Sequence, residues 1–88
     1  MSHEQVIERV SRLFINYVKD VSLDSIDLDA SLVEVYGFNS VLLIELIVAL
    51  ESEFDFEFTN AELNLENYKN VNSIIRTILG HLERQING

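Results

Sequence analysis

The stretch that decides the fold is Gly37-Phe38-Asn39-Ser40-Val41-Leu42-Leu43-Ile44-Glu45-Leu46-Ile47-Val48-Ala49-Leu50-Glu51-Ser52-Glu53-Phe54. Leu43, Leu46, Ile47, Leu50 and Phe54 recur at the spacing of one inward helical face. Gly37 loosens the backbone just before the helix, and Ser40 is read as the residue that caps it. Val41, Ile44 and Val48 form a second apolar stripe, roughly opposite Leu43 and Leu50. Leu42 and Leu43 close most of the gap. A surface helix of a small protein should not be apolar nearly all round.

On the N-terminal side, Ser2 and Gln5 stand at capping-box spacing. Val6, Val10, Leu13, Phe14 and Tyr17 then predict a helix from about Ser2 to Lys19. The periodicity fails from Asp20 to Asn39. Apolar residues come singly there (Val21, Leu23, Ile26, Leu28, Leu32, Val35), which reads as an ordered loop pinned to the core. A loop this long in a small domain is usually functional when it is ordered. Tyr36 and Phe38, either side of Gly37, are expected to pack it against the helices.

On the C-terminal side, Asp55-Phe56-Glu57-Phe58 alternates like a strand but lacks a partner, so it reads as a connector. Thr59 or Asn60 caps a brief turn through Leu63, and Leu65 to Tyr68 forms another. Asn70 caps a last helix, along which Val71, Ile74, Ile75, Ile78, Leu79 and Leu82 keep a helical stripe. Asn72 also reads as a cap, and Gly88 closes the sequence. The fold class is all-α: a small three-to-four-helix bundle with a long loop between helices one and two, in one domain, 1–88.

Composition narrows the function. A chain of 88 residues buries only roughly 60–65% of its unfolded surface, which leaves little room for a walled catalytic pocket. There is no cysteine, so disulfides and thiolate metal sites are excluded. No apolar run approaches the roughly 20 residues that span a bilayer, and the start lacks a signal-peptide pattern; a cytoplasmic protein is expected. The net charge is −9, and no basic residue occurs between Lys19 and Lys69. Such a field repels nucleic acid and anionic membranes and steers basic protein surfaces toward the chain.

Ser40 carries the candidate chemistry. A helix N-terminus has unpaired N–H groups and a partial positive charge, so it suits an attached phosphate. The ordinary alternative is a serine that only caps its helix. Val41, Ile44 and Val48, with Glu45 and Glu51 beside them, read as a ridge for partner proteins. The alternative is that the long loop covers the stripe.

With these residues together, the chain resembles the acyl carrier protein family. That family shows Gly-x-Asp-Ser-Leu followed by a Glu-Leu pair, an Ala-Leu-Glu step and a Glu-Phe close. Glu45-Leu46, Ala49-Leu50-Glu51 and Glu53-Phe54 stand at the family spacing from Ser40, and the likeness continues through Phe58-Thr59 and Asn70-Val71-Asn72-Ser73-Ile74-Ile75. The resemblance implies 4′-phosphopantetheine attached covalently to Ser40 by a phosphopantetheinyl transferase, with cargo held as a thioester on its thiol. It further implies a carrier that is not itself an enzyme. Its partners would be acyl- or aminoacyl-loading and processing enzymes with basic docking surfaces, meeting Asn39, Val41, Ile44, Glu45, Val48 and Glu51. A monomer is expected.

Three departures suggest a specialised carrier for a lipid, secondary-metabolite or aminoacyl pathway, not the fatty-acid housekeeping one. Asn39 stands where the family usually has Asp, Val41 replaces Leu, and Leu42 occupies a position that is often polar. Leu65-Glu66-Asn67-Tyr68 resembles peptidyl carriers, which keeps an aminoacyl cargo open. A carrier-like subunit that acts unmodified is the other alternative. Asp24, Asp27 and Asp29 lack the glycine and distal glutamate of a calcium loop, so no metal is expected. His3 and His81 lack catalytic partners at useful spacing and read as solvated surface residues.

Overall fold

The computed structural model describes residues 1–87; Gly88 lies outside the described residues. Three helices carry the fold: α1 (His3–Phe14), α2 (Ser40–Phe54) and α3 (Val71–Asn87). Short 3₁₀ turns occupy Ile15–Tyr17 and Leu65–Tyr68. Among the described residues there is no strand, and the all-α bundle is what the periodicities predict. The loop between α1 and α2 is long, as expected.

The N-terminus of α1 is a full capping box. Gln5 N–H donates to Ser2 Oγ at 3.2 Å, and Ser2 N–H donates to Gln5 Oε1 at 2.9 Å. The α-helix stops at Phe14 and not near Lys19. Ile15, Tyr17 and Val18 are β-branched or aromatic and hold a helix weakly. The chain tightens into the first 3₁₀ turn, and Asp20 then adopts φ 59° to turn the loop away.

Val6, Val10 and Phe14 of α1 meet Leu46, Leu50 and Phe54 of α2 and Val71, Ile74, Ile75 and Ile78 of α3 in one core. Arg9 ties α1 to the end of α2. Its guanidinium donates to the Glu53 carboxylate and carbonyl, each at 2.8 Å, and lies 5.0 Å from the centre of the Phe54 ring. Asp55 closes α2 in the left-handed conformation, φ 53°, which Asp tolerates better than most residues.

The connector then turns Phe56 and Phe58 inward and Glu57 outward. It runs as extended chain without a sheet. Phe56 and Phe58 meet edge to face at 4.7 Å, and Phe58 meets Tyr68 at 5.9 Å. Thr59 caps the next turn: its hydroxyl accepts from Glu62 N–H at 3.2 Å, and the Glu62 carboxylate accepts from Thr59 N–H at 2.8 Å. Asn60 is not the cap. Asn70 caps α3, accepting from Ser73 N–H at 2.7 Å.

The long loop is ordered by fewer anchors than the sequence suggests. Leu32 is fully buried, and Ile26 and Leu28 pack on the core, but Leu23 and Val35 face solvent. Backbone pairing does the rest. Leu32 N–H donates to Lys69 O, and Asn72 N–H donates to Leu28 O. The Asn72 side chain donates to Asp29, so Asn72 fastens the loop instead of capping a helix.

Candidate functional site

The site begins with the three residues before α2. Gly37 has φ +71°, and a Cβ there would meet nothing within 4 Å. Left-handed backbone, not lack of space, is what calls for glycine. The bend sends Tyr36 and Phe38 onto the same ring of α1. Tyr36 meets Phe14 edge-on at 5.1 Å, and Phe38 stacks on it at 5.6 Å. The Tyr36 hydroxyl also accepts from Asp27 N–H at 2.9 Å. The approach to Ser40 is thus fixed from both sides of the bend.

Ser40 is not the helix cap. Asn39 takes that place, its Oδ1 accepting from Leu42 N–H at 2.8 Å. Ser40 is the first residue of α2 and is exposed. One residue decides both roles: Asn39 satisfies a helix donor, and Ser40 Oγ is left out of the cap. The unpaired N–H groups and dipole of the first turn lie beside that oxygen and favour a phosphate joined to it.

The outer stripe of α2 is bare. Val41, Ile44 and Val48 are 64%, 60% and 58% exposed. The long loop leaves them uncovered; its backbone is paired with Lys69 and Asn72 instead. The acids of α2 are less alike than they look in sequence. Glu45 is exposed. Glu51 is half-buried, and its carboxylate accepts from Phe58 N–H at 2.8 Å, holding the connector. Glu53 is engaged by Arg9 at 2.6 Å. Glu51 was expected to flank the ridge as an outward acid, and its carboxylate is turned to an internal bond instead.

A second polar cluster went unread in the sequence. His81 is not a solvated surface residue: its side chain is 11% exposed, its Nδ1 lies 2.9 Å from Glu62, and its ring meets Phe56 at 4.3 Å. Arg84 reaches the same carboxylate. Burial of Glu62 acts to raise its pKa. The Thr59 N–H, His81 and Arg84 outweigh that and hold the carboxyl below its ordinary value of 4.5. Two signals were present: the Thr59-x-x-Glu62 capping-box spacing, and the place of His81 on the stripe of Ile74 and Ile78. His3 is exposed, and among the described residues no group of His, Asp and Glu is arranged to hold a metal.

Comparison of the sequence with known proteins shows its family. A family model described as a phosphopantetheine attachment site matches residues 9–78. An acyl carrier protein of Clostridium acetobutylicum is 34% identical over 73 residues, covering 75% of this chain and 92% of the relative. The chain belongs to the acyl carrier protein family. No solved structure matches it. Membership brings 4′-phosphopantetheine as a covalent prosthetic group, and a carrier function with it. The residues fit the group: an exposed serine hydroxyl, free of capping duty, at the N-terminus of a helix of 15 residues. No helix among the described residues is long and apolar enough to cross a membrane.

Proposed function

We propose that this carrier holds an acyl group as a thioester on 4′-phosphopantetheine joined to Ser40 Oγ, and serves a specialised lipid or secondary-metabolite pathway. The observation that carries the proposal is the division of labour between Asn39, which caps α2, and Ser40, which does not. When bound, the prosthetic group supplies the thiol that a chain without cysteine lacks. Every other task falls to the protein's own residues. Ser40 offers the oxygen that forms the phosphodiester. The first turn of α2 faces the resulting anion with its N–H groups. Tyr36 and Phe38, locked on Phe14, hold the attachment point still while enzymes approach.

Val41, Ile44 and Val48 serve as the docking ridge for a phosphopantetheinyl transferase and for loading and processing enzymes. Apolar contact supplies affinity there, and Glu45 with the wider acidic field supplies steering toward basic surfaces. Glu51 contributes indirectly, by fixing the connector that follows α2. The neutral Asn39 in a family position for Asp, together with Leu42, supports a specialised role over the housekeeping one. The chain itself catalyses no step, and it works as a monomer in the cytoplasm.

Intact mass after incubation with coenzyme A and a broad-specificity transferase tests the proposal. The wild type should gain one phosphopantetheine and Ser40→Ala none. If neither gains mass with several transferases, while Asn39→Asp also stays unmodified, the chain is an unmodified interaction subunit.

A further inference from the structure

Both flanks of the Gly37 bend hang on the long loop. On one flank the Tyr36 hydroxyl accepts from Asp27 N–H at 2.9 Å, and Tyr36 N–H donates to Ser31 O at 3.3 Å. On the other, Phe38 N–H donates to Leu32 O at 2.9 Å. The backbone that leads into Ser40 therefore takes its register from the loop.

The loop in turn takes its register from the start of α3. Leu32 N–H donates to Lys69 O at 2.9 Å, and Asn72 N–H donates to Leu28 O at 3.0 Å. The Asn72 amide donates to Asp29 Oδ1, and Asp29 N–H donates to Asp27 Oδ1 at 3.0 Å. An unbroken run of hydrogen bonds thus leads from Asn72 through Asp29 and Asp27 to Tyr36. Within that run only the Asn72–Asp29 bond pairs two side chains, and its acceptor is a carboxylate, which makes it one of the stronger kind. Asn70 already caps α3, and asparagine is a modest helix former. Nothing in the helix itself calls for a second asparagine at Asn72.

We infer that Asn72 is a positioning residue for the attachment of phosphopantetheine: its bond to Asp29 registers the long loop on α3 and, through Tyr36, holds Ser40 where a transferase meets it. The inference rests on the reading of Ser40 as the attachment residue. Geometry and charge make opposite demands here. If Asp29 served only as an acid that attracts a basic enzyme, removing its charge would slow modification and adding a charge at Asn72 would not.

The test follows the gain of phosphopantetheine by intact mass, with coenzyme A and one broad-specificity transferase, over a range of carrier concentrations and below the melting temperature of each variant. Asn72→Asp sets carboxylate against carboxylate and should lower kcat roughly 3- to 30-fold, the span of coupling carried through such networks. The carrier's KM should stay within about twofold of the wild type, because docking is untouched. Asn72→Ala removes the donor without a clash and should lower kcat in the same way, which covers an Asn72→Asp protein that fails to fold. Asp29→Asn still accepts from Asn72 and should keep the wild-type kcat. The swapped pair, Asn72→Asp with Asp29→Asn, turns the bond round and should restore kcat. Wild-type kcat in Asn72→Asp or Asn72→Ala would overturn the inference, as would a slow Asp29→Asn or a swapped pair as slow as Asn72→Asp alone. A loss confined to KM would overturn it too, since docking and not the placement of the serine would then be at fault. Absence of any mass gain on the wild type would instead refute the attachment at Ser40, and this inference with it.

Discussion

Asn39 and Ser40 are neighbours with separate duties, and that separation can be measured. Asn39→Ala removes the cap of α2 and should lower stability by about 1 kcal/mol in denaturant unfolding. Asn39→Asp keeps an equally good cap and adds a negative charge beside the serine, so stability should hold while the rate of transferase modification rises. Ser40→Ala should unfold like the wild type, because its hydroxyl supports nothing in the helix. The sequence names Ser40 correctly as a helix-start residue but assigns it the capping duty, because serine and asparagine are nearly equal caps and stand side by side. Only the φ and ψ of Asn39, extended at −112° and 178°, choose between them.

Glu62 makes a separate prediction at this scale. Its pKa is lowered in the folded protein, so the folded state binds its proton less readily than the unfolded chain. The stability it adds is present above the unfolded value near 4.5 and is lost as pH falls through the lower folded value. Glu62→Gln should therefore flatten the acid limb of a stability–pH curve measured by circular dichroism. At neutral pH it should cost about 1.5–3 kcal/mol, the range for hydrogen bonds to a charged group.

At the scale of the element, α2 has one face in the core and one bare apolar face, which the proposed docking role would use. Val48→Glu changes an exposed position and should alter stability by less than about 0.5 kcal/mol. It should nevertheless slow transferase modification severalfold, because it places a charge on the ridge that partners must desolvate. Leu50→Ala on the opposite face should cost about 2–5 kcal/mol through the cavity it leaves. Both faces are legible in the sequence, since the spacing of Leu46, Leu50 and Phe54 is unmistakable and Val41, Ile44 and Val48 fall outside it. Periodicity does not reveal whether anything covers an apolar stripe. That depends on where the long loop goes, and its backbone is paired with Lys69 and Asn72. The duties of Glu51 and Glu53 were hidden for a similar reason, since their partners Phe58 and Arg9 are set by the path of the chain and not by local spacing. The early end of α1 had a local signal in Ile15, Tyr17 and Val18, too weak to override the apolar stripe that runs on to Tyr17.

The whole molecule is a thin three-helix core with Ser40 exposed at the start of α2. The aromatic series from Phe54 through Phe56 and Phe58 to Tyr68 joins α2 to the second 3₁₀ turn. His81 and Glu62 seal the far end against α3. This arrangement braces the C-terminal end of α2 against the second 3₁₀ turn and leaves one helix face open. The net charge of −9 favours the approach of basic surfaces, and in the proposed role the apolar ridge would select among them. The acidic composition was legible from the start, as was the order of the helices.

Fragment-ion mass spectrometry of the modified protein reads directly whether Ser40 is the attachment residue. One phosphopantetheine is expected, carried by fragments that contain Ser40 and absent from those that contain only other serines. A prosthetic group on any other residue, or a Ser40→Ala protein that still acquires one, would contradict it.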